Sequence, residues 1–237
     1  MTPLGSFLAF LIFGAFFGGV GLLIWRQSKI GRRRGAEFEA RADREGWRVE
    51  DGREGRQKVT SVTASDGSWV LRLGSGYSYG VSGSHRHSVP GFTELRIHAP
   101  TWHEAAIFTR PLPGWVRRVT GYSSVTGFVQ NAAVKAVVGK MAPAGVMDEA
   151  SRMRPFEAPP GVELGIMATD DPRDLDLKAI HDLIHGFRAQ HQRGMAPNSV
   201  TLGPEGLRIR LMDALNDDDD MVAFIDAGLA LAERLKR

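Results

Sequence analysis

The feature that most constrains this chain is an uncharged, apolar stretch at residues 4–25. As a helix, its 22 residues would span about 33 Å at ~1.5 Å per residue, which matches the ~30 Å hydrocarbon core of a bilayer. A cleaved signal peptide would instead have a basic start, a shorter apolar run and a cleavage site between small residues. We therefore predict a transmembrane helix over residues 4–25, preceded by a short extracytoplasmic tail at residues 1–3.

Basic residues gather directly after this stretch, and none precedes it. They are Arg26, Lys29, Arg32, Arg33 and Arg34. Because basic residues that flank a membrane helix stay on the cytoplasmic side, the pattern predicts an outside N-terminus and a cytoplasmic C-terminal region in a bacterial-type inner membrane. The same charges can contact anionic lipid headgroups. Residues 26–46 are therefore interpreted as a basic juxtamembrane segment that includes a short helix.

Glycine recurs along one face of the predicted membrane helix, at Gly14, Gly18 and Gly21. Small residues at spacings of four and three allow a second helix to approach closely. The expected partner is another membrane protein or a second copy of the chain. Glycine is also frequent in membrane helices generally, so a helix without a partner is the alternative.

The charge of the remaining chain argues against nucleic acid as a partner. Of the 30 basic and 27 acidic residues, five basic ones follow the apolar stretch. The rest of the chain is slightly acidic, so it has no general attraction to a phosphate backbone. The sequence contains no cysteine, which excludes disulfides, thiolate metal ligands and a cysteine nucleophile.

The region after the basic segment alternates between short strand patterns and helical patterns, as is typical of an α+β fold. At residues 94–98, for example, Leu95 and Ile97 are expected to face inward, and Glu94, Arg96 and His98 outward. Strand patterns lie at residues 47–50, 59–64, 69–73, 94–99, 106–110, 162–168, 198–202 and 207–212. Helical patterns lie at residues 36–45, 125–137, 172–192 and 217–236. We predict antiparallel β-hairpins packed on α-helices.

Prolines and small residues at residues 142–161 indicate a linker between two subdomains, residues 47–141 and residues 162–237. Residues 61–73 align without gaps to residues 199–211, because both segments begin with Ser-Val-Thr and end with Arg-Leu. Duplication of one subdomain would explain this likeness. Convergent strand patterning is the alternative.

A Gly-x-Ser-x-Gly pattern at residues 76–80 places Ser78 where serine hydrolases have their nucleophile. In such an elbow a helix follows the serine at once and helps to form the oxyanion hole. Here the pattern lies within residues 74–91, which are rich in glycine and serine and predict a loop. Ser78 is therefore interpreted as a loop residue, and no catalytic residue is assigned.

Two histidines, His181 and His185, have the i,i+4 spacing of metal ligands on a helix, as in zinc peptidases. Asp182 stands where those enzymes have their general-base glutamate, but its side chain is one methylene shorter. We interpret the pair as half-buried surface residues and assign no metal and no cofactor. The acidic run at residues 217–220 precedes a predicted helix, whose dipole favours negative charge there.

These patterns favour a non-catalytic, single-pass accessory, assembly or scaffolding subunit of a bacterial-type inner-membrane complex. One membrane helix cannot form a transport path, but its glycine face can pack on a neighbour. A membrane-tethered hydrolase that uses Ser78, or a metal at His181 and His185, is one alternative. Another is a membrane-anchored sensor in which residues 74–91 close over a small ligand or a lipid.

Overall fold

The computed structural model describes residues 38–80, 86–98, 105–111, 149, 152–190 and 196–236. The chain divides into two compact units, Met1–Arg44 and Glu45–Arg237. The described residues of the first unit, 38–44, are helical and belong to helix α1, which covers residues 38–45. No helix among the described residues is long and apolar enough to cross a membrane. The helices predicted at residues 4–25 and 125–137 lie outside the described residues.

Among the described residues of the second unit, an antiparallel sheet of nine strands is the framework. In chain order the strands are β1 (Arg48–Glu54), β2 (Gln57–Thr63), β3 (Trp69–Gly74), β4 (Tyr77–Gly80), β5 (Arg86–Val89), β6 (Phe92–Ile97), β7 (Ala106–Thr109), β8 (Arg154–Phe156), β9 (Gly165–Ala168), β10 (Ser199–Gly203) and β11 (Gly206–Leu211). Strands β4 and β5 form a separate hairpin, and the large sheet has the order β1-β2-β3-β6-β11-β10-β7-β9-β8. The predicted α+β class with antiparallel hairpins is confirmed for the described residues.

Strands from both predicted subdomains alternate in this sheet. Hairpin β10–β11 lies between β6 and β7, and β9 pairs with β7 on its other side. Leu95 on β6 is opposite Leu71 on β3 and Ile209 on β11. The segments before and after the predicted linker therefore share one sheet, and Arg154–Phe156 within that linker form the outer strand β8.

One face of the large sheet packs against two helices, α2 (Leu177–Gly186) and α3 (Asp218–Leu235), and we call it the helix face. Leu71, Leu95 and Ile209 lie side by side on this face with 0% of their surface exposed. A Cβ atom at Gly228 of α3 would come within 2.3 Å of Leu95 Cδ2. The missing side chain allows α3 to pack directly on β6, and burial of these aliphatic side chains is the main stabilising contribution.

Polar contacts join α2 and α3 near both ends of the helix pair. Two guanidinium nitrogens of Arg234, near the end of α3, donate to Asp176 Oδ2 at 2.7 and 3.0 Å. Asp220, in the first turn of α3, accepts a hydrogen bond at 2.6 Å from the backbone N–H of Gln190, which follows α2. These contacts fix the two helices in antiparallel orientation.

The prediction of one helix over residues 172–192 is wrong at both ends. Asp171 caps a 3-10 turn at Pro172–Asp174, and α2 begins only after a second cap, Asp176. The Asp176 carboxylate accepts a hydrogen bond from the backbone N–H of Ala179 at 2.9 Å. Because each capping residue has extended or non-helical backbone, the two caps separate the turn from α2, which has ten residues. The final predicted helix is confirmed as α3.

The predicted loop at residues 74–91 contains regular structure. Strands β4 and β5 pair as a hairpin in which Ser78 lies opposite Ser88. The two ends of the hairpin come very close, because a Cβ atom at Gly91 would lie 2.9 Å from the carbonyl oxygen of Gly74. Glycine is therefore needed at this approach, and the loop prediction is wrong for the residues of β4 and β5.

Among the strands that the structure describes, β1 and β8 are the outermost in the large sheet. All seven residues of β1 are exposed. Its charged residues are Arg48, Glu50, Asp51, Arg53 and Glu54. Strand β8 has only three residues, with Pro155 at its centre.

Candidate functional site

The face of the sheet opposite the helices carries a row of polar side chains, and we call it the arginine face. The row crosses strands β2, β3, β6, β11 and β10 in register. In that order its members are Ser61, Arg72, Glu94, Arg210 and Ser199. Arg96 on β6 lies opposite Arg208 on β11. These two arginines are two residues away from Glu94 and Arg210 on the same strands. Because successive side chains of a strand point to opposite faces, the buried leucines of the helix face alternate with these charged residues.

A cavity of about 530 Å³ lies on the arginine face. Its charged lining consists of Glu54, Arg72, Glu94, Arg96 and Arg210. Its apolar lining includes Val89, Pro90, Phe92 and Met212. Small-molecule sites typically have volumes of about 300 to 1,000 Å³ with mostly apolar walls and a few polar groups. The cavity thus has the size and the mixed lining of a ligand site.

Glu94 is the central acidic group of the cavity, and only 5% of its surface is exposed. Arg96 Nε donates a hydrogen bond to Glu94 Oε1 at 2.5 Å, and Arg72 Nη1 lies 4.0 Å from the same oxygen. Arg72 also contacts Glu54 through Nη2. A carboxylate in this position is tolerated because guanidinium groups replace the water that it loses.

Arg210 differs from the other two arginines of the cavity. Its Nε atom is buried and has no hydrogen-bond partner among the described residues. Its guanidinium lies over the ring of Phe92, 5.3 Å from the ring centroid, while that of Arg72 lies 5.9 Å away. Such cation–π contacts hold a guanidinium without neutralising it. Since three arginines face two glutamates in the lining, Arg210 carries the unbalanced positive charge.

The base of the β4–β5 hairpin borders the cavity. The side-chain amide of Gln57 donates to the carbonyl oxygen of Ser75 at 3.1 Å and to that of Pro90 at 3.3 Å. Gln57 therefore ties both ends of the hairpin to strand β2. Through Val89, Pro90 and Gly91 the hairpin base forms part of the cavity wall.

Ser78 does not lie in a nucleophile elbow. It is exposed on β4, opposite Ser88 of β5. The next element that the structure describes after β4 is strand β5, not a helix. The geometry around Ser78 is that of a surface hairpin, so the oxyanion hole of a strand–turn–helix elbow is not formed there by described residues.

The rings of His181 and His185 stack with their centroids 4.6 Å apart. His185 Nε2 lies 2.8 Å from the carbonyl oxygen of Glu163, and His181 Nδ1 lies 3.2 Å from Asp182 Oδ1. Hydrogen bonds from Lys178 and, second, from His181 lower the pKa of Asp182. One nitrogen of each ring is thus engaged in a hydrogen bond. No group of three or more metal-ligating side chains comes together in the described part of the chain.

The other predicted contact residues lie outside the described residues. They are Gly14, Gly18 and Gly21 for helix packing, and Arg26, Lys29, Arg32, Arg33 and Arg34 for the membrane surface. Their roles stay predictions.

Sequence reasoning missed the arginine face. The available signal was that Arg72 and Arg210 occupy the same position in the two similar segments, residues 61–73 and 199–211. Both arginines flank Glu94 in the sheet. Glu94 lies on the face that alternation predicts, but it is buried because long arginine side chains surround it.

Comparisons of the chain with protein-family models, with curated proteins and with solved structures found no match.

Proposed function

We propose that this chain is a non-catalytic, single-pass accessory, assembly or scaffolding subunit of a bacterial-type inner-membrane complex. The observation that carries the proposal is the uncharged stretch at residues 4–25 with five basic residues directly behind it. In this arrangement one helix anchors the unit Glu45–Arg237 to the cytoplasmic side of the membrane. Gly14, Gly18 and Gly21 form the contact with another membrane protein or with a second copy.

The described residues support a binding role better than a hydrolytic one. A hydrolytic serine needs a base within hydrogen-bond distance and donors for the oxyanion, whereas Ser78 is exposed on a hairpin. A metal shared by His181 and His185 needs ring nitrogens that converge. Here the two rings stack, and one nitrogen of each ring is in a hydrogen bond with another residue. The cavity on the arginine face offers charged and apolar walls, which suit binding.

Co-purification of the full chain in a mild detergent tests the accessory role. We expect a defined membrane partner, or a second copy, to remain bound to the wild-type chain. Gly14→Leu and Gly18→Leu should release it, because a leucine side chain separates the two helix backbones. Gly19→Leu is the matched control, since residue 19 lies on a different face of the predicted helix. A chain that migrates alone would contradict the proposal.

The orientation has its own test. A reporter fused after Arg237 should be active in the cytoplasm, because the basic residues after the helix stay on that side. Activity only on the other side of the membrane would overturn the proposed topology.

A membrane-anchored ligand sensor is a second candidate, and the cavity is the observation that favours it. The cavity wall includes Val89, Pro90 and Gly91, at the end of the segment from residues 74–91. A ligand in the cavity would contact both the sheet and the base of this hairpin. Its binding could therefore be transmitted to the β4–β5 hairpin at the surface.

A further inference from the structure

We infer that the cavity on the arginine face binds a small organic oxyanion, a carboxylate or a phosphate ester with an apolar body, through Arg210. This inference does not depend on the proposed accessory role, because it concerns only described residues of the second unit. Its first support is the charge balance of the cavity. Arg96 pairs with Glu94 and Arg72 with Glu54, which leaves the charge of Arg210 for a ligand to neutralise.

The second support is the unmade hydrogen bond of Arg210. Buried polar groups in proteins almost always have a partner, yet its Nε atom has none among the described residues. The Arg210 guanidinium lies over the Phe92 ring, 5.3 Å from its centroid, and such a cation–π contact does not use up the hydrogen-bonding capacity of the N–H groups. The planar edge of a guanidinium matches the geometry of carboxylate and phosphate oxygens. Because Nε is shielded in this conformation, its bond to a ligand requires a rotation of the guanidinium into the cavity.

The third support is the apolar wall beside the charge. Val89, Pro90 and Met212 line the cavity together with Phe92, and Met212 has 56% of its surface exposed. Inorganic ions gain nothing from such a wall, whereas an organic anion buries apolar surface against it. The structure therefore favours an anionic group joined to an apolar body.

Titration calorimetry of the full chain in phosphatidylcholine nanodiscs tests this inference. The probes are benzoate and phenyl phosphate, with benzyl alcohol as a neutral compound that keeps the phenyl ring. We expect both anions to bind with dissociation constants of about 1 mM or lower, and the alcohol to bind at least about tenfold more weakly because it lacks the charge. Equal binding of all three probes, or no binding of either anion, would overturn the inference.

Variants locate the binding. Arg210→Gln should weaken the binding of both anions by about tenfold or more, because it removes a charge-assisted hydrogen bond. Arg208→Gln is the matched control, since Arg208 lies on the same strand and face but is paired with Glu205 at 2.6 Å and does not line the cavity. Arg208→Gln removes the same net charge as Arg210→Gln, but it removes it from outside the cavity. Its effect on the dissociation constants of the two anions should therefore stay within about twofold. Equal losses in both variants would show a diffuse charge effect and would sink the assignment to Arg210.

Chemical modification of the wild-type chain covers the case in which Arg210→Gln fails to fold. Phenylglyoxal reacts with arginine side chains, and mass spectrometry reports the rate at each position. Phenyl phosphate should slow the modification of Arg210 at least several-fold and leave Arg208 unchanged. Similar protection at both positions, or at neither, would contradict the site.

Lipid composition identifies the source of the oxyanion. The same titration is repeated in nanodiscs that contain phosphatidylglycerol. If this lipid abolishes the Arg210-dependent binding of phenyl phosphate, a lipid headgroup occupies the cavity. If binding is unchanged, the ligand is a soluble anion. Both outcomes are consistent with an oxyanion site in the cavity. Failure of the proposed accessory role would be detected separately, by the co-purification experiment.

Discussion

The two faces of the large sheet are built from the same strands but are stabilised in different ways. On the helix face, Leu95 and Ile209 have 0% of their surface exposed, and their contribution comes from leaving water. On the arginine face, Glu94 is nearly as buried, but it is tolerated only because arginines pair with it. The helix face therefore supplies stability by itself, whereas the stability of the arginine face depends on charge balance. A face of the second kind can respond to an added ion.

The largest expected difference between the faces is found on strand β11. Ile209→Ala should lower the free energy of unfolding by about 2 to 5 kcal/mol, because it leaves a cavity in the core. Arg208→Ala, at the neighbouring position on the opposite face, should cost about 1 kcal/mol or less, because it removes a half-exposed ion pair. Urea unfolding followed by tryptophan fluorescence measures both. Similar losses for the two variants would break the comparison.

A smaller effect is expected where charge balance is disturbed. Glu94→Gln should lower the free energy of unfolding by about 1 to 3 kcal/mol, because Arg72 and Arg96 lose their shared carboxylate. Inorganic phosphate should recover part of this loss by binding near the arginines. The same urea titration, with and without phosphate, measures the change. Glu205→Gln is the control, since its partner Arg208 lies outside the cavity and their half-exposed ion pair contributes little. A variant more stable than the wild type would contradict the expectation.

The smallest effect concerns an exposed charge on the helix-face side of β1. Hydrogen bonds from Thr60 and, second, from Lys58 lower the pKa of Asp51. Asp51 therefore contributes stability above its ordinary pKa of about 3.9, and this contribution is lost as the pH falls through the lowered pKa of the folded state. Thr60→Val should raise that pKa toward the ordinary value and reduce the acid-induced loss.

Carboxyl NMR titration of Asp51 measures this shift. Thr63→Val, on the same strand but on the arginine face, is the control and should leave the Asp51 pKa unchanged. An Asp51 pKa that stays low in Thr60→Val would show that Lys58 is sufficient.

Local patterns in the sequence predicted much of the secondary structure. The strand pattern at residues 69–73 predicted β3, and the helical pattern behind the acidic run at residues 217–220 predicted α3. The break between Pro172–Asp174 and α2 could have been inferred from two successive capping residues, Asp171 and Asp176. The β4–β5 hairpin was hidden by its glycine and serine content, which strands usually lack.

The order of the strands could not be predicted in the same way. Pairing of β6 with β11 joins residues that are far apart in the chain, and local periodicity does not determine such partners. The arginine face exists only through this pairing, because it brings Arg210 beside Glu94. Each side chain could be assigned to a face from alternation, but the cavity could not be predicted without the order of the strands in the sheet.

The charged outer strand β1 and the short outer strand β8 have a consequence for behaviour in concentrated solution. Strands at the margin of a sheet can recruit strands of other molecules through free backbone groups. Here an incoming strand would meet the dense charge of β1, or Pro155, which has no N–H to donate. The composition of these two described strands therefore disfavours fibril-like pairing along either of them.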